Sequence, residues 1–245
     1  MKVLLITAAG MSERFRASLG HECLKCIYYK DSIEESLLYR MLHQNVEFDR
    51  YIIVGGFRWE ELKETVYTHF SRILPKLVLV ENERYCEYGS GYSLYLGLKE
   101  AAEAGYDELV FAEGDLYVDS ESFQEIFWVD KDVVTCTRER IQADSSVAFY
   151  YDKKRCIHYL YDTGHQAFMI KEPFVGIFNS GQVWKFKDQE KMDAIISSMP
   201  EEELQGTNLA IIQKYFSGMS EGQYKIIEFN KWVNCNTIYD FYKIK

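Results

Sequence analysis

Apolar positions in the first 112 residues follow two alternating rhythms. Solid runs rich in branched residues occupy positions 3–7, 51–54, 77–80 and 108–112. A run without polar alternation fits a strand buried on both faces, as in a parallel sheet. Between these runs the spacing becomes helical. Ile33, Leu37, Leu38, Met41 and Leu42 recur behind Ser32-Ile-Glu-Glu35, a capping-box pattern that predicts a helix of about three turns. Leu62, Val66 and Phe70 predict a helix over 59–70. Leu94, Leu98 and Ala102 predict another over 90–104, with Gly105 just past its end. Strands alternating with helices argue for a parallel sheet covered on both faces. Ligands of such sheets bind beyond the carboxyl ends of the strands. The loops opening at Ala8, Gly55, Glu81 and Glu113 are therefore the place to look for a site.

Beyond residue 120 the rhythm changes. Runs at 133–136, 146–151, 156–161 and 174–178 read as strands without full helices between them, and Asp152-Lys153-Lys154 reads as a hairpin turn. Helices are expected over 191–198 and 208–216, a late strand over 224–229 and a short terminal helix over 239–244. No linker-like stretch and no internal repeat interrupts the chain. One α/β domain over 1–245 is expected, its second half extending the sheet and adding a small mixed or antiparallel lobe.

Composition narrows the function. The net charge is −10 and no basic stripe appears, which argues against a nucleic-acid backbone as partner. The apolar run at 2–9 is too short for a membrane span or a signal peptide, and no longer run follows, so a cytoplasmic protein without a membrane partner is expected. The six cysteines sit mostly in apolar runs, as reduced core thiols do. Cys23-x-x-Cys26 lacks the second pair that a zinc site needs. The histidines share no metal or dyad spacing, and no G-x-S-x-G elbow occurs.

Ala8-Ala9-Gly10-Met11-Ser12-Glu13-Arg14-Phe15 directly follows the first strand. Small residues let a backbone approach phosphate oxygens, and successive N–H groups cradle an anion. Arg14 offers a planar fork that matches phosphate. The stretch is neither G-x-x-x-x-G-K-[ST] nor G-x-G-x-x-G, which weighs against a P-loop ATPase and an NAD enzyme. A plain turn with an exposed Arg would use the same letters.

The stretch resembles the signature loop of GT-A-like nucleotidyltransferases, where an apolar strand runs into A-A-G-x-[GS]-x-R-F. That family follows it with a Lys in a P-K-x-L segment. Leu24-Lys25-Cys26-Ile27 takes this place, without the Pro. The resemblance implies that Ala8, Ala9, Gly10, Met11, Ser12 and Arg14 hold a triphosphate. It also implies that Lys25 stabilises charge on the α-phosphate, a task suited to a compact cation. Ser93-Leu94-Tyr95-Leu96 is similar to the N-x-x-S-L-Y-L segment of choline-phosphate-type cytidylyltransferases, with Gly89-Ser90-Gly91 replacing the Asn. This implies Gly55, Ser90, Gly91 and Ser93 on the nucleotide side, where a helix start offers free N–H groups. Capping is the plainer use of Ser90.

Glu113-Gly114-Asp115 looks like the family's metal-binding turn. Magnesium takes one or two carboxylates, and Asp115 is the matching ligand, with Asp119 a weaker candidate. Near the C-terminus Asn236 falls where relatives place a second metal ligand. Its carbonyl can ligate magnesium but brings no charge. Asp240 is expected to cap the terminal helix. Glu172-Pro-Phe-Val-Gly-Ile177 is similar to an E-x-x-G-I strand along the acceptor pocket, which implies a lining of Tyr92, Tyr161 and Glu172. An acidic, aromatic pocket would suit a cation such as phosphocholine.

Taken together, the resemblance implies a Rossmann-like GT-A nucleotidyltransferase fold. It has three α/β/α layers on a mixed sheet, with residues 1–120 on the nucleotide and 121–245 on the acceptor. It implies magnesium-dependent transfer of a nucleoside monophosphate, CTP being the first choice of donor. The acceptor would be small and phosphorylated, such as phosphocholine or a phosphonate, as in cell-surface polysaccharide or phosphonate biosynthesis. Transfer from UTP or dTTP to a sugar 1-phosphate stays open. So does a nucleotide-binding protein without catalysis, for which Asn236 and the missing Pro speak. Base, acceptor and oligomeric state are not legible.

Overall fold

The computed structural model describes residues 1–142, 146–160 and 169–244. Its first half follows the expected alternation. Strand β1 (Lys2–Ala8) leads into α1 (Glu13–Leu19) and α2 (Leu37–Leu42). Then come β2 (Arg50–Gly55), α3 (Trp59–His69), β3 (Leu77–Glu81), α4 (Ser90–Ala104) and β4 (Glu108–Glu113). β1 pairs in parallel with both β2 and β4, and β2 with β3.

The second half contributes β5 (Leu116–Val118), α5 (Ser120–Trp128), β6 (Asp132–Thr137), β7 (Ala148–Asp152), β8 (Ile157–Leu160) and β9 (Phe174–Phe186). It ends with α6 (Gln189–Ser197), α7 (Glu201–Leu204), α8 (Leu209–Phe216), β10 (Tyr224–Glu228), β11 (Trp232–Asn234) and α9 (Ile238–Phe241). The central sheet runs β10-β6-β9-β4-β1-β2-β3 and is mixed, because β9 lies antiparallel between β4 and β6. The first part of β9 leaves this sheet to pair with β7, and β7 pairs with β8 around the Asp152 turn. That small antiparallel lobe is the one expected. β5 and β11 form a separate antiparallel pair.

Alternation along β1 explains its apolar run. Val3 and Leu5 face one core with Leu94, Leu98, Trp184 and Tyr215. Leu4 and Ile6 face the other, with Leu38, Leu62, Val66 and Phe123. Helices cover both sides, so the residues from Val3 to Ile6 are all buried. A third cluster packs Phe15 of α1 against Ile238 and Phe241 of α9, which brings the C-terminal segment beside the loop after β1.

Two expectations need correcting. Ser32 caps no helix. Residues Ile33–Glu35 form a 3-10 turn, and Glu35 accepts instead from the N–H groups of Lys30 and Asp31. The cap is Ser36, whose hydroxyl accepts from Tyr39 N, and the helix behind it is short. The strand expected to end at residue 178 continues to Phe186. Its polar stretch, Asn179-Ser180-Gly181-Gln182, is buried and hydrogen-bonded, so it passes through the sheet where polarity suggested a break.

Candidate active site

The carboxyl ends of β1 and β4 open into a cleft of about 290 Å³. The loop at 8–12 forms one wall, Lys25 and Cys26 a second, and Asn82, Ser90 and Ser93 the side nearest α4. Among the described residues, the N–H groups of Gly10 and Met11 have no partner, as a backbone anion cradle requires. Ser12 holds a left-handed conformation (φ 55°), strain of the kind that gathers at ligand sites. Its hydroxyl accepts from Lys25 N at 3.2 Å and pins the lysine turn to the loop.

Lys25 Nζ donates to Asp115 Oδ2 at 2.8 Å. Asp115 Oδ1 is buried with no partner among the described residues. Glu113 lines the same cleft and accepts from Asn208 Nδ2 at 2.8 Å. Burial first, then the charge of Asp115, pushes its carboxyl up to about 7. Gly114 between the two carboxylates crosses close to β1, where a Cβ would stand 2.8 Å from Thr7 O. Cys26 is no nucleophile here, because burial pushes its thiol up to about 12.

The carboxylates fit a hard cation. Asp115 offers an unshared oxygen and Glu113 stands beside it, which meets the one or two carboxylates that magnesium uses. Among the described residues no three His, Cys, Asp or Glu side chains form a ready-made cage. Phosphate oxygens and water would supply the remaining ligands.

A second cavity of about 430 Å³ is lined by Arg14, by β11 and by the residues after it. Arg14 Nη2 donates there to Asn236 Oδ1 at 2.8 Å. Asp240 caps α9 in a capping box with Thr237, as expected, and pairs with Lys243 at 2.8 Å. Cys235 N donates to Asp115 O at 2.9 Å, which ties the segment between Asn234 and Asn236 to the turn after β4.

The expected site residues divide accordingly. Ala8, Ala9, Gly10, Met11, Ser12, Lys25, Ser90, Ser93 and Asp115 come together in the cleft. Arg14 and Asn236 come together in the second cavity, so Arg14 does not converge with Lys25 and Asn236 does not share a wall with Asp115. Gly55 lies outside the cleft and packs on α3, where a Cβ would stand 2.5 Å from Leu62 Cδ2. Gly91 is likewise outside, and the α4 start is not free. Gly89 N donates to Gln205 O and Gly91 N to Gly206 O, while Ser90 Oγ accepts from Asn208 N. Asp119 is the N-cap of α5 and also accepts from Lys231 N, so it is no ligand. Tyr92 stacks on Tyr95, meets Tyr88 at a tilt and is not part of the cleft lining. Exposed Glu172 accepts from the Tyr150 hydroxyl. Tyr161 lies outside the described residues.

Glu113, Asn82 and Asn208 escaped the sequence reading. Glu113 had a signal, because residues 113 and 115 flank a glycine at the end of a buried strand. Asn208 had none, since nothing local relates the start of α8 to β4.

Comparison with known proteins agrees with this fold. Residues 21–245 match the family model described as domain of unknown function DUF6564. No curated protein matches in sequence. The structure is similar to the inositol-1-phosphate CTP transferase from T. maritima at TM-score 0.68 and 18% identity, covering 100% of this chain and 96% of that one. It is also similar to the CTP:phosphocholine cytidylyltransferase from Streptococcus pneumoniae (TM-score 0.66, 14% identity, 99% and 97% covered). A nucleoside-diphosphate-sugar pyrophosphorylase from Vibrio cholerae follows at TM-score 0.61 and 12% identity, with 100% and 99% covered. Among the described residues no helix is long and apolar enough to cross a membrane. The chain thus carries the Rossmann-like α/β fold of nucleotidyltransferases and belongs to the family of the domain of unknown function DUF6564.

Proposed function

We propose that the protein is a magnesium-dependent nucleotidyltransferase that moves a nucleoside monophosphate onto a small phosphorylated acceptor. The observation that carries the reading is the convergence of three groups in one cleft: unpaired loop N–H groups, Lys25, and Asp115 with a free oxygen. The similar structures support the same class.

In this reading Gly10 and Met11 donate to the triphosphate, and Ser12 keeps the loop open. Asp115, with Glu113 beside it, holds the magnesium ion, which neutralises phosphate charge when bound. Lys25 leaves Asp115 and turns to the α-phosphate. An oxygen of the acceptor phosphate forms the new bond to the α-phosphorus, and the bond to the β-phosphate bridge breaks, releasing pyrophosphate. The attacking oxygen is already anionic, so no general base is needed. Positioning and charge stabilisation supply the rate. Arg14 faces the second cavity and meets the acceptor phosphate rather than the triphosphate tail.

CTP is the proposed donor. The Ser93-Leu94-Tyr95-Leu96 segment supports it, and Ser93 lines the cleft while accepting from Asn82 Nδ2 at 2.9 Å. Pyrophosphate release should be measured with CTP, UTP, dTTP, GTP and ATP, each with magnesium and a panel of phosphorylated acceptors. Release from CTP that needs both magnesium and an acceptor is the expected result. Nucleotide binding without release from any pair would leave a binding protein instead.

A further inference from the structure

The start of α8 uses a side chain against its local habit. Asn208 is the residue before that helix, with φ −58° and ψ −20°, and its side chain caps nothing. Asparagine is favoured at this position because its amide oxygen accepts from the free N–H groups of the first turn. Asn208 is instead buried, and its Nδ2 donates to Glu113 Oε1 at 2.8 Å, from 95 positions away in the chain. The helix goes without a side-chain cap, and the amide meets a carboxylate of the cleft.

The backbone that carries Asn208 is itself fixed. Gly89 N donates to Gln205 O at 2.9 Å, Gly91 N to Gly206 O at 3.1 Å, and Asn208 N to Ser90 Oγ at 3.1 Å. A Cβ on Gly89 would stand 2.2 Å from Gly206 O, so the segment 205–208 lies against the start of α4 because glycine stands there. Glu113 is thus held by a frame outside its own strand. The amide occupies Oε1, and Oε2 has no hydrogen bond among the described residues. Asp115 likewise keeps Oδ1 without a partner among them. Two carboxylates one glycine apart repel each other when no cation lies between them, and a Glu side chain has rotamers that turn away. A fixed donor on one oxygen removes that freedom.

We propose that Asn208 is the positioning residue of the metal site: it fixes Glu113 so that Glu113 and Asp115 present their free oxygens to one divalent cation. This rests on the nucleotidyltransferase reading, in which that cation carries the triphosphate. Asn208 is not part of the cleft lining and acts through the carboxylate alone. A hydrogen bond behind a metal-binding group commonly accounts for about 10–100-fold in metal affinity.

The test is calorimetric titration of the whole chain with CTP, in manganese and again in EDTA, manganese standing in for magnesium at oxygen ligands. The ratio of the two affinities measures what the metal site contributes. Asn208→Ser keeps a capping side chain for α8 but is too short to reach Glu113. It should lower the ratio about tenfold, while affinity in EDTA and the melting temperature stay as in the wild type. Asn208→Thr, closer in volume, replaces it if the serine variant does not fold. Glu113→Gln should lower the ratio by a similar factor, and the double variant by no more than the larger of the two, since both changes empty the same contact. An unchanged ratio with a lower melting temperature would make Asn208 a packing residue and overturns the proposal, and so do losses that multiply in the double variant. A metal contribution that survives both the serine and the threonine variants overturns this inference alone. No binding of CTP, UTP, dTTP, GTP or ATP in manganese takes the nucleotidyltransferase reading down with it.

Discussion

The cleft under β1 and the cavity beside β11 present different chemistry. The cleft under β1 is lined by residues 7–12 at the end of β1, the turn at 24–26, residues 82–93 between β3 and the first turn of α4, and 113–115 at the end of β4. Its working groups are backbone N–H groups, one lysine and two carboxylates. The second cavity gathers Arg14, Asn179, Asn234 and Asn236 from segments far apart in the chain, and its working groups are side-chain amides. Phosphate recognition is generic and fits into a single turn. Recognition of an acceptor is particular, and here topology assembles it. In the proposed reading the chemistry lies on the β1 side and the acceptor contacts on the β11 side.

The largest effect that would sharpen this division concerns Lys25. Lys25→Ala should lower turnover by about 10²–10³-fold, the range seen when one preorganised charge is lost at a transition state. Nucleotide affinity should change only a few-fold, which single-turnover kinetics beside a binding isotherm would resolve. Weaker binding with unchanged turnover would make Lys25 a mere tether and blur the two regions.

Next in size is the pH dependence of the cleft. Glu113 is held near 7 in the fold against an ordinary value of 4.5. Below the ordinary value both folded and unfolded chains carry the proton, and the stabilisation is complete. It is lost as pH rises through the folded value, because the unfolded chain ionises freely while the fold must bury a second charge beside Asp115. The metal-free protein should therefore lose about 3 kcal/mol between roughly pH 4.5 and 7. Denaturant midpoints in EDTA would record it, and Glu113→Gln should flatten the slope. No comparable slope is expected from the amides of the second cavity.

Arg14 tests the boundary itself. Arg14→Ala should raise the KM of the acceptor about tenfold, as for loss of a charge-assisted phosphate contact, and leave nucleotide affinity nearly unchanged. The opposite split would return Arg14 to the triphosphate.

The same contrast explains what could be read from the chain. That Ala8–Ser12, Lys25 and Asp115 would share one cleft was legible because a small-residue loop, a lone lysine and an acidic turn each leave a local mark at the end of a strand. The parallel half of the sheet was legible because buried strands read as apolar runs. Arg14 was found but misplaced, since its partner Asn236 lies 222 positions away. β9 was cut short because Asn179 and Gln182 look like a turn until their hydrogen-bond partners are in view. Gly55 and Gly91 looked like ligand glycines and proved to be packing glycines. Ser32-Ile-Glu-Glu35 had the letters of a capping box, but the backbone turned before the helix began.

The central claim is that the β1 cleft grips a nucleoside triphosphate through Asp115 and a magnesium ion. Thermal unfolding with CTP, with and without magnesium, tests it most directly when wild type, Asp115→Ala and Arg14→Ala are run together. Saturable stabilisation should appear only with magnesium, vanish in Asp115→Ala and persist in Arg14→Ala, since a ligand raises stability according to its affinity. If UTP, GTP, ATP and CTP all leave the wild-type melting temperature unmoved, or if Asp115→Ala keeps the full magnesium-dependent shift, the claim is contradicted.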